Sequence, residues 1–181
     1  MFTNIFSSFI YETILDVDNI SIIKVCKEEL KNPSDHNQVN LPKHNTLKPL
    51  MHLVYDHVKL VSGQMGYGEK VMPMCVETWI NSNAAKEIVK PHLHPNAELA
   101  CVYYALADEN TDKIEFLNPV QQIQYIIKPK KVMNWNEYNS VTWTIKPQIN
   151  KLIIFPAWLL HYVVGNNISD RISIAFNFKL L

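Results

Sequence analysis

Two histidines stand one residue apart in the stretch "KPHLHPNAE", and imidazoles in this pattern are candidate metal ligands. In an extended chain successive side chains point to opposite faces, so His92 and His94 share one face and Leu93 takes the other. Pro91 and Pro95 restrict the backbone on either side, which lowers the entropy lost when two ligands are fixed. The pattern alone arises easily by chance in a chain with 7 histidines, so it predicts a metal site only if a further ligand joins it.

His161 supplies that third imidazole, after the apolar run "LIIFPAWLL". We expect residues 152–155 to form a buried strand that Pro156 turns, and His161 to open the next strand. The ordinary alternative is a histidine satisfied within an aromatic wall. Three imidazoles at strand ends are harder to obtain by chance, and together they predict a metal site made by His92, His94 and His161.

Arg171 is the only arginine in the chain, and every other basic residue apart from the histidines is a lysine. It opens "RISIAFNF", in which Arg171, Ser173 and Asn177 share one strand face while isoleucines and phenylalanines take the other. A guanidinium holds a carboxylate by two parallel hydrogen bonds, a geometry that an ammonium cannot reproduce. A surface salt bridge, the competing interpretation, could use a lysine. The pattern therefore predicts a buried acid anchor at Arg171, with Ser173 as a second donor.

In chain order these stretches resemble the Fe(II)- and 2-oxoglutarate-dependent oxygenases, and more narrowly a small group known as 2OG-Fe(II) oxygenases. The resemblance runs from about residue 79 to residue 177, and its C-terminal block is the specific part. The matching segments are Trp79 with Asn81, His92 to Asn96, Val102 to Tyr104, Phe155 to Val163 and Asn167 to Asn177.

The resemblance implies a double-stranded β-helix, the cupin-like jelly-roll barrel, with Fe(II) at its mouth and with 2-oxoglutarate and O₂ as cosubstrates. His92 and His161 take the places of the histidine ligands, and Arg171, Ser173 and Tyr104 those that hold the far carboxylate of 2-oxoglutarate. The implied reaction is hydroxylation of an unidentified substrate, a protein side chain or a metabolite, with succinate and CO₂ as co-products. The candidates for the substrate side are Trp79, Asn81, Tyr103, Trp158 and Asn177.

The chain departs from the resemblance at His94, which stands where the broader superfamily has a carboxylate ligand. A neutral third imidazole still suits Fe(II), but it leaves the site one negative charge poorer. The third ligand is His94, or Glu98, or a water in their place. Glu98 gives the His-x-His-x-x-x-Glu spacing of cupins, so a cupin-like metalloprotein with a His/His/Glu/His site is an alternative function. A non-catalytic binding barrel is another.

The elements that must position these residues are two helices followed by short strands. Asp18 can cap a helix over Asn19–Leu30, with Ile20, Ile23 and Val25 or Cys26 on its apolar face, and a second helix is predicted over Leu47–Gln64. We expect one α+β domain over residues 1–181, with a helical N-terminal buttress at 1–68 and a mainly β core at 69–181. The predicted strands are Val71–Trp79, Leu99–Leu106, Lys113–Phe116, Val132–Trp135, Val141–Ile145, Lys151–Phe155, His161–Val164 and Arg171–Phe178.

The composition of the chain argues against several classes of function. Lys+Arg and Asp+Glu balance at 17 each, so the chain lacks the basic excess typical of nucleic-acid binding, and no basic run predicts membrane binding. The apolar run 152–160 is too short to span a bilayer. Cys26, Cys75 and Cys101 are an odd, widely spaced set, which favours a reducing compartment. These features predict a soluble cytoplasmic protein.

Overall fold

The computed structural model describes residues 5–31, 43–83, 88–108, 113–120, 131–165 and 171–181. Within them the chain forms two antiparallel sheets, two α-helices and a short 3₁₀ helix (Asn45–Leu47), so the prediction of a mainly β protein is confirmed. Residues 166–170, part of the C-terminal block that carries the resemblance, lie outside the described residues.

The larger sheet has five strands in the order β1-β7-β4-β9-β2, and the smaller has four in the order β3-β8-β5-β6. From β2 onward the chain alternates between the two sheets except at β5 and β6, which are consecutive and pair within the smaller one. The strands are β1 (Tyr11–Ile14), β2 (Pro73–Asn83), β3 (Val89–His92), β4 (Leu99–Leu106), β5 (Ile114–Leu117), β6 (Thr142–Ile145), β7 (Lys151–Pro156), β8 (His161–Val163) and β9 (Arg171–Leu180).

Two helices, α1 (Asn19–Glu29) and α2 (Lys48–Gln64), precede most of the strands. The Asp18 carboxylate accepts from the backbone N–H of Ser21 at 3.2 Å, which satisfies one of the free donors at the start of α1. The buried face of α1 is Ile22, Val25 and Cys26, and Ile20 is 84 % exposed. The sequence-based assignment of Ile20 to the apolar face is therefore wrong, because the i, i+3, i+4 stripe runs through residue 22.

The central strands of the larger sheet, β4, β7 and β9, are buried on both faces, because the helices cover one face and the smaller sheet faces the other. On β9, Ile172, Ile174, Phe176 and Phe178 belong to the apolar cluster that includes the buried residues of α1 and α2. A second cluster, which includes Ala100, Tyr104, Phe116 and Phe155, lies between the two sheets. The alternation of β9 thus leaves Arg171, Ser173 and Asn177 facing the space between the sheets.

The strand predictions fail in two ways. Residues 132–135 form no strand, because the side chain of Asn136 accepts from the N–H of Tyr138 and Asn139 accepts from the N–H of Asn136. Such local side-chain bonds stabilise a turn in competition with sheet pairing. Two observed strands are missing from the predicted set: β3, and β1, which pairs with β7 and adds a strand to the helices of the first 68 residues.

Neither helix of the part that the structure describes is long and apolar enough to cross a membrane.

Candidate metal centre

His92 and His161 face each other across a pair of strands in the smaller sheet. His92 ends β3 and His161 begins β8, and the antiparallel register makes them direct partners. Their ring centroids are 4.3 Å apart. The strand pairing therefore brings together two imidazoles that are 69 positions apart in the chain.

His94 joins this pair from the turn after β3. Its backbone N–H donates to the carbonyl of Ala157 at 2.9 Å, which ties the turn to the segment before β8. The His94 ring centroid lies 5.1 Å from that of His92 and 5.2 Å from that of His161. One nitrogen from each ring lies within 4.8 Å of the other two. Three ligands at roughly 2.1 Å from one ion and at right angles to one another lie about 3.0 Å apart, so the largest nitrogen separation would have to close by as much as about 1.8 Å when an ion binds.

Backbone carbonyls orient two of the three rings. The Nδ1 of His92 lies 2.8 Å from the carbonyl of Lys90, and the Nδ1 of His161 lies 2.9 Å from the carbonyl of Leu159. A carbonyl only accepts, so each Nδ1 carries the proton, and each Nε2 keeps a lone pair. This is how metal-binding histidines are commonly held, with the second nitrogen donating to an outer acceptor.

Burial keeps His94 and His161 neutral in the absence of a metal. The pKa of His161 is lowered to about 4, mainly by burial and to a smaller extent by the nearby His92 and His94, while its hydrogen bond to the Leu159 carbonyl opposes the shift. The pKa of His94 is also lowered to about 4, first by burial and then by the charge that His92 carries when protonated. Both imidazoles are therefore uncharged near pH 7, which is the form that binds a metal.

The wall opposite the histidines belongs to the larger sheet. Ser173 of β9 is the register partner of Tyr104 on β4 and of Asn81 on β2, so these three side chains share one face. Arg171 and Ser173 are 4 % and 3 % exposed. One cavity is lined by the three histidines together with Trp79, Asn81, Tyr104, Arg171, Ser173 and Asn177.

Two of the substrate-side candidates lie elsewhere. Tyr103 points away from Tyr104, into the apolar cluster beneath the helices, where its hydroxyl donates to Asn19 Oδ1 at 2.8 Å and lies 2.9 Å from Asn150 Oδ1. Trp158 lines a different cavity, beside Tyr11 and Val61. Neither residue lines the cavity of the histidines. Tyr103 is excluded because neighbouring residues of a strand face opposite sides of the sheet, and Trp158 lies in the turn between β7 and β8.

Glu98 does not join the histidine cluster. Its carboxylate accepts from the backbone N–H of Leu180 at 3.0 Å, at the end of β9, and its own backbone pairs with Ala157 and Phe178. Among the described residues, the group within metal-binding distance consists of His92, His94 and His161. The geometry therefore favours His94 over Glu98 as third ligand and disfavours the cupin-like set.

Sequence reasoning missed one residue beside the site, Glu77. Its carboxylate accepts from Asn177 Nδ2 at 2.8 Å, and the same nitrogen lies 3.3 Å from Nδ1 of His94. The signal was present, because Glu77, Trp79 and Asn81 alternate along one strand and so share a face.

Residues 77–177 match the family described as "Putative 2OG-Fe(II) oxygenase". No curated protein sequence matches the chain.

Solved structures share the fold at low sequence identity. A Pseudomonas putida prolyl-4-hydroxylase superposes with a TM-score of 0.66 at 12% identity, covering 94% of this chain and 86% of that one. HygX from Streptomyces hygroscopicus, with nickel and 2-oxoglutarate bound, gives 0.59 at 8%, covering 95% and 82%. The α-ketoglutarate-dependent epimerase SnoN of nogalamycin biosynthesis gives 0.65 at 9%, covering 94% and 76%. The chain therefore shares the jelly-roll fold with these proteins, which catalyse more than one type of reaction.

Proposed function

The chain belongs to the 2OG-Fe(II) oxygenase family, whose cofactors are Fe(II) and 2-oxoglutarate, and we propose that it hydroxylates a C–H bond with succinate and CO₂ as co-products. The observation that carries this proposal is a cavity with two different walls that face each other. Three converging imidazoles stand on one side of a cavity, and a buried arginine stands on the other.

The donor set of the first wall fits Fe(II). His92, His94 and His161 would hold the ion on one face, and each can offer a nitrogen lone pair in its neutral form. Three protein ligands leave the remaining coordination positions to cosubstrates. Bound there, Fe(II) would supply the activation of O₂ and the oxidative decarboxylation of 2-oxoglutarate.

The second wall fits the cosubstrate's far carboxylate. Arg171 would bind it through two parallel hydrogen bonds, and Ser173 and Tyr104, which share that face, would add neutral donors. Burial strengthens such bonds because little water competes for the guanidinium. Arg171 and the three histidines line one cavity, and we expect a single five-carbon diacid to engage both walls.

Trp79 and Asn81 would form the substrate side. The indole N–H of Trp79 donates to Asn81 Oδ1 at 3.0 Å, which fixes the ring, and the ring centroid lies 5.7 Å from that of His94. Apolar side chains such as Val89, Phe155 and Val163 complete the lining and exclude water from the reacting atoms. Asn177 also lines this cavity, next to His94.

Anaerobic titration with Fe(II) and then with 2-oxoglutarate tests the proposal. We expect one Fe(II) per chain, and 2-oxoglutarate binding that depends on the metal. His92→Ala and His161→Ala should abolish Fe(II) binding, whereas Trp158→Ala, in its separate cavity, should change neither step. Fe(II) binding that survives both histidine substitutions would contradict the proposed site.

A further inference from the structure

The wall of the cavity that β9 forms has a buried end and an outer end. Arg171 and Ser173 are buried at one end, where the proposed function places the far carboxylate of 2-oxoglutarate. At the other end Asn177 is the register partner of Glu77 on β2, and Glu77 is exposed. Because 2-oxoglutarate is assigned to the buried end, we expect the prime substrate to approach the metal site from the end that carries Glu77.

A β-bulge turns Glu77 toward this wall. Cys75 opposes Phe178 and packs with the apolar cluster under the helices, whereas Glu77 opposes Asn177, so the register shifts between residues 75 and 77. In a regular strand residues 75 and 77 would share one face, so the bulge is what places the carboxylate at the outer end of the cavity.

The Glu77 carboxylate is held in place with its charge unpaired. Asn177 Nδ2 donates to one of its oxygens at 2.8 Å, which fixes the side chain. The structure gives Glu77 no lysine or arginine as ion-pair partner among the residues that it describes. The lining of the cavity itself contains no acidic side chain within the same residues, so Glu77 supplies the negative charge at this end.

Trp79 is the next residue of β2 on the same face, between Glu77 and the interior of the cavity. Its indole N–H donates to Asn81 Oδ1 at 3.0 Å, which fixes the plane of the ring. Its register partner on β9 is Ala175, whose small side chain leaves room beside the indole. The Trp79 ring centroid lies 5.7 Å from that of His94, so a group held against the indole lies next to the metal site.

A fixed indole beside an unpaired carboxylate favours one class of ligand, an organic cation. A cation over the face of an aromatic ring is attracted by the ring quadrupole, and tryptophan gives the strongest attraction. The carboxylate of Glu77 adds an opposite charge at the neighbouring position of the same face. An anionic substrate would be repelled by Glu77, and a neutral one would gain nothing from its charge.

We propose that the prime substrate carries an organic cation, such as an ammonium group, which binds between the indole of Trp79 and the carboxylate of Glu77. A short aliphatic chain then leads from the cation to the C–H bond that reacts beside the metal. This inference rests on the proposed function, because it names the substrate class of the same site.

NMR titration of the metal-free, full-length protein with n-butylammonium and with n-butanol tests the site. The two probes have the same chain and differ in charge. The readout is the indole N–H signal of Trp79, which is identified by its absence from Trp79→Phe. We expect n-butylammonium to shift this signal with a saturable dependence, and n-butanol to bind about three- to thirtyfold more weakly, the combined range for a cation–π contact and an exposed ion pair.

Glu77→Gln separates the charge of the carboxylate from its structural role. The glutamine oxygen still accepts from Asn177 Nδ2, so the hydrogen bond is kept and only the charge is lost. We expect n-butylammonium to bind about two- to fivefold more weakly to this variant, and the difference from wild type to shrink at 1 M salt, where the Debye length is about 3 Å. Glu12→Gln, which removes an exposed carboxylate paired with Lys151, is the matched control and should bind n-butylammonium as wild type does.

Three results would overturn the proposal: n-butylammonium that leaves the Trp79 signal unshifted, n-butanol that binds as tightly as n-butylammonium, or Glu77→Gln that binds n-butylammonium as tightly as wild type. The proposed function fails separately, in the Fe(II) titration. A protein that binds n-butylammonium as expected but no Fe(II) keeps the cation site, and its assignment to an oxygenase substrate is then wrong.

Discussion

Replacing Arg171 by lysine distinguishes the role of the cavity wall that carries Arg171 from the role of the wall that carries the histidines. The side chain is 4 % exposed and begins β9, on the face that Ser173 shares. Lysine keeps the positive charge but loses the planar fork, and its single nitrogen sits at a different depth. We expect Arg171→Lys to bind Fe(II) as wild type does and to bind 2-oxoglutarate poorly.

The size of the loss follows from the contact that is removed. A charge-assisted hydrogen bond contributes about 1.5–3 kcal/mol, and about 1.4 kcal/mol corresponds to a tenfold change in Kd. The affinity for 2-oxoglutarate should therefore fall by about tenfold to hundredfold. Ser173→Ala removes one neutral donor, worth about 0.5–1.5 kcal/mol, and should cost less.

Calorimetric titration of the metal-loaded, anaerobic variants with 2-oxoglutarate measures these losses. Lys179→Arg, on the same strand but outside the cavity lining, is the matched control and should leave the affinity unchanged. An Arg171→Lys variant that binds 2-oxoglutarate as tightly as wild type would refute the anchor, as would an equal loss in the Lys179→Arg control.

Three further outcomes are expected. His94→Asp should retain or raise the Fe(II) affinity, since it places a carboxylate in the ligand set. His94→Ala should weaken Fe(II) binding more than Glu98→Ala does. A metal titration in which Glu98→Ala loses more affinity than His94→Ala would favour the cupin-like set. Tyr103→Phe should destabilise the fold by about 1–2 kcal/mol, because Asn19 Oδ1 and Asn150 Oδ1 lose the hydroxyl that donates to them, and it should leave the 2-oxoglutarate affinity unchanged. A loss of affinity at unchanged stability would contradict the placement of Tyr103 in the core. The metal-free protein should lose stability as the pH falls from 7 toward 4. The pKa values of His94 and His161 are about 4 when folded against an ordinary 6.5, so between these values the unfolded chain binds more protons; a melting temperature that is equal at pH 7 and pH 5 would contradict this.

Alternation along strands accounts for the part of the site that the sequence could predict. In β9 the two faces differ sharply in polarity, so the period of two places Arg171, Ser173 and Asn177 together without knowledge of the fold. Family resemblance and His-x-His spacing indicated the histidines. Their ligation of a metal and the role of Arg171 stay predictions.

Long-range pairing accounts for what the sequence could not predict. Tyr103 and Tyr104 are the same type of residue, and only the register of β4 with β9 decides which of them faces the cavity. Alternation with Trp79 and Asn81 indicates the face of Glu77, but only the register of β2 with β9 shows that Glu77 lies opposite Asn177. Strand β1 has a four-residue length and pairs only with β7, so its short sequence gives too weak a signal on its own.

Succinate formation tests the central claim most directly. Wild-type protein supplied with Fe(II), O₂ and 2-oxoglutarate should convert 2-oxoglutarate to succinate, and the conversion should stop when Fe(II) is omitted or when His161 is replaced by alanine. The contradicting result is a wild-type protein with one bound Fe(II) and bound 2-oxoglutarate that forms no more succinate than His161→Ala, which is what a non-catalytic binding barrel would give.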